Sequence, residues 1–294
     1  MLLALTCGTA FGPCCAQDFS NAKVERVAAG LHYAEGPAWS PEGFLIVSDT
    51  VTNKLHKIVP GTTESEAGEV AGGPIGNAYD SQGRRYTCEF RERRVTRTTK
   101  NGKMEIIAER FEGKRFNAPN DIAVRRDGHV YFTDPAFGNQ QDSRELDFYG
   151  IFHITPKGEV EPVAKWKTRP NGLALSPNGR TLYVADADAR AIRAFELDRG
   201  GAASGERVVI EKLAGVPGGI RTDEKGNLWI TAAKSIYVYS PQAQLLGQLE
   251  LGEAPSNLAF GDPDLETLFI TARTTVYRVR IGVKGSSQNS STQN

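Results

Sequence analysis

The chain has 294 residues, 39% of them hydrophobic, and its 35 Lys+Arg balance 35 Asp+Glu to a formal net charge of zero. That balance excludes the basic excess with which nucleic-acid binders neutralise phosphates. The hydrophobic share suits a buried core and is too small for a membrane protein, and the length suits one repeat-built all-β domain.

In chain order, residues 1–16 come first. Leu2, Leu3, Ala4 and Leu5 open an apolar run that continues through small residues to Ala16. This pattern predicts the hydrophobic region and cleavage site of a secretory signal, although a basic start is missing, and so an exported protein, periplasmic or secreted. A buried N-terminal segment is the alternative reading. Cys7, Cys14 and Cys15 lie inside it, so the mature chain keeps only Cys88, with neither an internal disulfide nor a cysteine metal cluster. Residues 17–283 are expected to form the folded domain. Residues 284–294, dominated by Ser, Asn, Gln and Gly, read as a disordered tail.

Within the domain one unit recurs: an apolar pair, a polar turn closing on Gly, then an alternating strand. It reads AWSPEGFLIVSD at 38–49, AYDSQGRRYTCE at 78–89, AVRRDGHVYFTD at 123–134, ALSPNGRTLYVAD at 174–186 and RTDEKGNLWITA at 221–232. A sixth, AFGDPDLETLFITA at 259–272, has lost the glycine. The turn glycines Gly43, Gly83, Gly128, Gly179 and Gly226 are 40, 45, 51 and 47 residues apart. Repeats of that length, with hairpin turn chemistry, predict an all-β, six-bladed β-propeller of four-stranded antiparallel blades around a central channel. A ring needs closing, or its last blade keeps a bare edge. Val24–Ala28 is expected to pair with the blade that holds Tyr277. No segment carries a helical period of any length. The cluster Arg91, Arg93, Arg94, Arg97 reads as a solvated strand edge.

Eight residues before each turn glycine, the innermost strand of a blade begins at the channel mouth. That position holds Glu35, Ile75, Asn120, Asn171 and Gly218, with Ser256 in the sixth blade by hydrophobic register. One carboxylate and two carboxamides on a common axis suit a hard divalent cation. Six residues after each glycine come Asp49, Glu89, Asp134 and Ala232, and Asp186 after a turn one residue longer. These acids are expected to form a second collar, an acidic funnel able to support a metal or supply a base.

With these residues placed, the sequence resembles the senescence-marker-protein, gluconolactonase and luciferin-regenerating-enzyme family, itself similar to diisopropylfluorophosphatases and paraoxonases. The matching pieces are EGPAW (35–39), KRFNAPNDIAV (114–124), FTDPAFG (132–138), RPNGLALSPNGRTLYVAD (169–186) and GGIRTDEKGNLWITA (218–232). The resemblance implies a six-bladed propeller with one divalent metal at the channel mouth and hydrolysis of sugar lactones. It implies Glu35 and Asn171 as metal ligands and Asn120 as a ligand or substrate contact. Arg115, Asn117 and Asp134 lie in motifs flanking the family's pocket and are implied as substrate-binding. Calcium is the first expectation for the cation, with zinc, manganese, magnesium and iron(II) as alternatives. One departure from the family bears on the chemistry: Pro217-Gly218-Gly219 stands where the pattern reads Pro-Asp-Gly, and that Asp is the family's ligand and base. Asp223 lies five residues on, in the turn, and does not replace it. The loop CEFRERRV (88–95) also lacks the family's His.

A metal-dependent lactone hydrolase, with Asp134 or Asp186 as substitute base, is therefore the leading expectation. A carboxylate restored at position 218 would be expected to face the ion. Two alternatives stand beside it: a non-catalytic propeller that binds a sugar acid or a protein, and a hydrolase of another ester or phosphoester. A small lactone is the expected partner, with no nucleic acid and no membrane span, in a monomer or small homo-oligomer. A Ser-His-Asp triad is not indicated, since no Ser sits in a Gly-x-Ser-x-Gly turn, and no phosphate loop or dinucleotide fingerprint occurs.

Overall fold

The structure is a computed structural model that describes residues 19, 21–62 and 65–286; the expected signal segment and most of the expected tail lie outside them. Six four-stranded antiparallel sheets form the blades of a propeller. The first blade runs Ala34–Ser40, Phe44–Asp49, Lys54–Ile58 and Ser65–Val70, from the channel outward. Blades two to five repeat this order from Pro74, Ile122, Pro170 and Pro217. The sixth takes three strands, Asn257–Gly261, Thr267–Ala272 and Thr275–Arg280, and is completed on its outer edge by Val24–Ala29. The register includes Arg26 opposite Tyr277, as the closure reading requires. One short 3-10 helix, Gly138–Ser143, interrupts the strands among the described residues.

The second strands are apolar on both faces because both faces of a blade are covered there, while outer strands such as Ala203–Ile210 are largely exposed. Six apolar clusters lie one at each interface between neighbouring blades. Leu182, Tyr183, Val184 and Ala185, for example, divide alternately between the clusters on either side of the fourth blade. Period-two alternation therefore sorts residues between two dry interfaces rather than between core and water.

The turn acids hold the inner hairpins. Asp223 Oδ1 accepts the N–H groups of Lys225 and Asn227 at 2.9 Å, while Oδ2 accepts Asn227 Nδ2 at 2.7 Å and Trp229 Nε1 at 3.1 Å. Asp80 does the same for Gln82, Arg84 and the Tyr86 hydroxyl. The acid-x-x-Gly of blades two and five is thus an Asx-type turn signal with an aromatic clamp.

Inner strands of adjacent blades approach so closely that four of the six positions just after the mouth residue are glycine: Gly36, Gly76, Gly172 and Gly219. A Cβ on Gly172 would stand 2.2 Å from Gly218 O, and one on Gly76 2.4 Å from Asn120 O. Gly172→Ala is expected to lower stability by about 1–3 kcal/mol, since backbone must move to admit the methyl; a chemical denaturation curve measures it.

The segment read as tail begins inside the fold. Glu224 N donates to Lys284 O at 2.8 Å, Gly285 N to Leu265 O at 2.9 Å, and Ser286 N to Thr222 O at 2.8 Å. The chain is thereby stitched across the face that carries the turns of blades five and six. The arginine cluster is likewise not merely a solvated edge: Arg93 is buried and donates to Phe116 O, while Arg94 pairs with Glu89 and Arg97 with Glu105.

Candidate active site at the channel mouth

Backbone, hydroxyl and carboxamide hydrogen bonds join the six mouth positions, or the residue just before them, into a closed ring. Ser48 Oγ of the first blade donates to Ile75 O of the second at 2.8 Å, and Gly76 N donates to Asn120 O at 2.8 Å. Thr133 Oγ1 reaches Asn171 O at 2.7 Å, and Asn171 Nδ2 reaches Pro217 O at 3.0 Å. Gly219 N and Thr231 Oγ1 both donate to Ser256 O, and Ser256 Oγ returns to Ala34 O at 2.7 Å, beside Glu35. Small hydroxyl residues on the second strands thus position the first residue of the next blade. The structure brings Glu35, Asn120 and Asn171 into this one ring, as the eight-residue offset requires.

Their oxygens are largely unspent. Asn171 commits its Nδ2, which leaves Oδ1 without a hydrogen bond, and the Asn120 carboxamide has no protein hydrogen bond among the described residues. Glu35 Oε2 accepts only the N–H of Gly36, at 3.0 Å, and its carboxylate also meets the Asn257 carboxamide. Burial, with the charge of Asp121 added, pushes the Glu35 carboxyl up to about 7. A half-buried carboxylate beside a second acid gains from a cation, and three oxygen donors of which one is charged fit a hard divalent ion. No cluster of three or more His, Cys, Asp or Glu able to hold a metal occurs among the described residues, so any site here is rich in carboxamides.

The sequence reading missed three residues just inside the mouth. Asp121, one residue beyond Asn120, accepts Ile122 N at 3.0 Å and Leu173 N at 3.2 Å, and receives Arg221 Nη1 at 3.3 Å. Asn257 follows Ser256 in the same register. Asp121 and Asn257 occupy the position that is glycine in the other four blades, which is the signal that sets them apart.

The acids of the second collar are not an open funnel. Asp134 is fully buried, and its two oxygens accept Asn117 N and Ala118 N, both at 2.8 Å. Burial pushes its carboxyl up to about 7 against those bonds. Asp186, also fully buried, accepts Thr168 Oγ1, Ala189 N and the Arg193 guanidinium. Glu89 is held by Arg94. These side chains turn under the loops they organise, so neither Asp134 nor Asp186 presents a free oxygen to the channel. Asn117 is buried too, with its Nδ2 on Asp134 O and Phe148 O. Arg115 sits on a two-stranded hairpin, Arg110–Phe111 with Lys114–Arg115, and reaches Glu92 O at 2.6 Å.

Asp49 shows the same device with a pH consequence. Burial opposes its ionisation, but the N–H groups of His32 and Tyr33 and the His32 ring outweigh it and hold the carboxyl down to about 2. A depressed folded-state pKa stabilises above the unfolded value of about 4 and stops doing so as pH falls toward 2. Asp49→Asn is therefore expected to cost about 1–2 kcal/mol at neutral pH and to flatten the acid limb of the stability profile between pH 4 and pH 2. Urea melts across that range check it.

Gly218 completes the ring without a side chain. A Cβ there would stand 2.4 Å from Ser256 O and 2.6 Å from Thr231 Oγ1, the two partners of one ring bond. The expectation that an introduced carboxylate would simply face the ion is therefore corrected: Gly218→Asp must first displace the Ser256 carbonyl. It is expected to lose about 1–3 kcal/mol of stability with no gain in calcium affinity, by thermal melt and calcium titration.

Residues 33–274 match the SMP-30/Gluconolactonase/LRE-like region. The chain is 31% identical to a gluconolactonase of Zymomonas mobilis over 288 residues, 87% of this chain and 81% of that protein. It is 25% identical to the pentonolactonase XacC of Haloferax volcanii, with 83% of each chain covered. Among solved structures, a gluconolactonase of Xanthomonas campestris superposes with a TM-score of 0.82 at 30% identity, covering 92% of this chain and 97% of that one.

Proposed function

The chain belongs to the SMP-30/gluconolactonase/LRE-like family, and from that premise we propose that it hydrolyses sugar lactones at the ring of residues around the channel mouth. The observation that supports this reading is the closed ring itself, which includes Asn120 and Asn171 and passes beside Glu35, three residues with side-chain oxygens left free by the ring. These three residues would hold one divalent cation, calcium by the hardness of its donors. When bound, such an ion polarises a lactone carbonyl and stabilises negative charge on its oxygen. Relatives named gluconolactonase and pentonolactonase support an aldonolactone as substrate.

The chain's own groups divide the remaining work. Asn171 is oriented by Pro217 O, so its Oδ1 is presented and its amide nitrogen is not. Asn120 keeps both ends of its carboxamide and can donate to a lactone oxygen from Nδ2. Asp134 fixes Asn117 and Ala118 and so sets the approach of the chain to Asn120. Arg221 neutralises Asp121 beneath the ring, which leaves Glu35 as the carboxylate that faces the substrate.

One observation favours a non-catalytic sugar-acid binder instead: Gly218 withholds the second carboxylate of the family pattern. A panel of D-glucono-1,5-lactone, a pentonolactone, an aryl ester and a phosphotriester separates the readings. Turnover of the two lactones alone supports the proposal. Binding of gluconate without turnover of any substrate supports the binder, and turnover of the aryl ester or phosphotriester alone would replace the lactone with another ester.

A further inference from the structure

We propose that the far half of the central channel is a second binding site, for a small apolar molecule that carries one carboxylate. The inner strands run from the mouth to the hairpin turns on the opposite face, and their later residues enclose a cavity of about 310 Å³. None of Glu35, Asn120, Asn171 and Ser256 lines it. The volume falls within the range of small-molecule pockets.

Its wall selects against a sugar. Trp39, Tyr79, Leu175 and Phe260 are among a mostly apolar lining, so most hydroxyls of an aldonolactone would lose water against carbon, with the few polar groups unable to serve them all. The same surface suits an aromatic or branched body, which gains by burial and by stacking.

Its charges select an anion. Arg221 and Lys284 line the cavity, and the one acid there, Asp262, already accepts the Thr267 hydroxyl. Arg221 uses Nη1 for Asp121 Oδ2 and Ile220 O, while its Nε and Nη2 make no hydrogen bond among the described residues. Lys284 makes no ion pair among them either. It is held at the cavity by the bonds of its own segment to Glu224, Leu265 and Thr222. A planar carboxylate matches the free edge of a guanidinium, and a second cation strengthens the match.

Calorimetric titration of the full chain with 2-naphthoate tests the proposal. One site per chain is expected. 2-Naphthamide, the same shape without the charge, should bind about fivefold more weakly or worse, and Lys284→Glu should weaken the naphthoate by about fivefold. Ala123→Phe, which puts a ring into the cavity, should abolish binding. Saturating calcium and gluconate, directed at the other end of the channel, should leave the affinity unchanged. Lys284 lies on the terminal segment outside the blades, so its variant reads the charge even where Ala123→Phe fails to fold. Absence of saturable binding, equal affinity for the amide, indifference to Lys284→Glu, or displacement by gluconate would overturn the assignment.

Discussion

Glu35→Gln is expected to lower kcat/KM for a sugar lactone by about 10²–10³-fold and to abolish detectable calcium binding, with the fold intact. Glu35 is the single carboxylate of the mouth ring, so the change removes all of the charge that a cation would meet in its donor set. The neutral amide keeps the shape. It also relieves the burial that pushes the Glu35 carboxyl up to about 7, so the variant should melt no lower than the parent. That combination separates a functional group from a structural one: a residue needed for packing would lose activity and stability together. Asn171→Ala is the weaker companion, since it removes one neutral oxygen and the bond to Pro217 O. Retained lactone turnover in folded Glu35→Gln would place the chemistry elsewhere.

Deletion of residues 17–28 is expected to abolish soluble folding. Val24–Ala29 is the outer strand of the sixth blade, and without it the strand Thr275–Arg280 keeps an open row of backbone groups. The apolar loss is of similar weight. Phe19, Ala22 and Val24 pack on the cluster between blades five and six, where the Phe19 ring meets Trp229 edge-on at 5.6 Å, and Ala28 belongs to the cluster between blades six and one. Uncovering a Phe, a Val and their neighbours costs about 5 kcal/mol, which is comparable to the whole stability of many domains. The Arg278–Glu25 ion pair at 3.0 Å is partly exposed and adds little. Expression of the truncated chain followed by a thermal melt measures the effect. A soluble product with an unchanged melting temperature would mean that the ring closes without this strand.

The blade count and the mouth register were legible because both follow from one local signal. A turn glycine fixes the hairpin, and the hairpin fixes the residue eight positions earlier. Closure was legible because Val24–Ala28 has strand character and no partner of its own. What lies just inside the mouth was not legible by counting. The inner strands of blades one, two, four and five each carry an irregularity near their start, between Glu35 and Ala38 and at the matching positions from Pro74, Pro170 and Pro217. An extra residue there breaks strict alternation, so the direction of a side chain beyond it cannot be read from its parity. Arg221 falls beyond that point, whereas Asp121 and Asn257 stand at the start of the inner strands of blades three and six, which keep a regular register.

The acids of the second collar illustrate a different limit. The offset of six located the ends of the second strands, but an acid there can face the channel or fold beneath the loop that follows. Asp49, Asp134 and Asp186 take the second course because loop N–H groups stand within reach, and a buried loop must satisfy its donors. The glycines after the mouth positions were visible in EGP and PNG, while their cause, the carbonyl of the next blade, needs the neighbouring strand in place.

Hydrolysis of D-glucono-1,5-lactone by the purified chain, before chelation, after chelation and after calcium is restored, tests the central claim most directly. The account predicts turnover that falls at least about tenfold with chelator and returns with calcium, and no such recovery in Glu35→Gln. Turnover that is indifferent to chelator in the parent and equal in Glu35→Gln would contradict it.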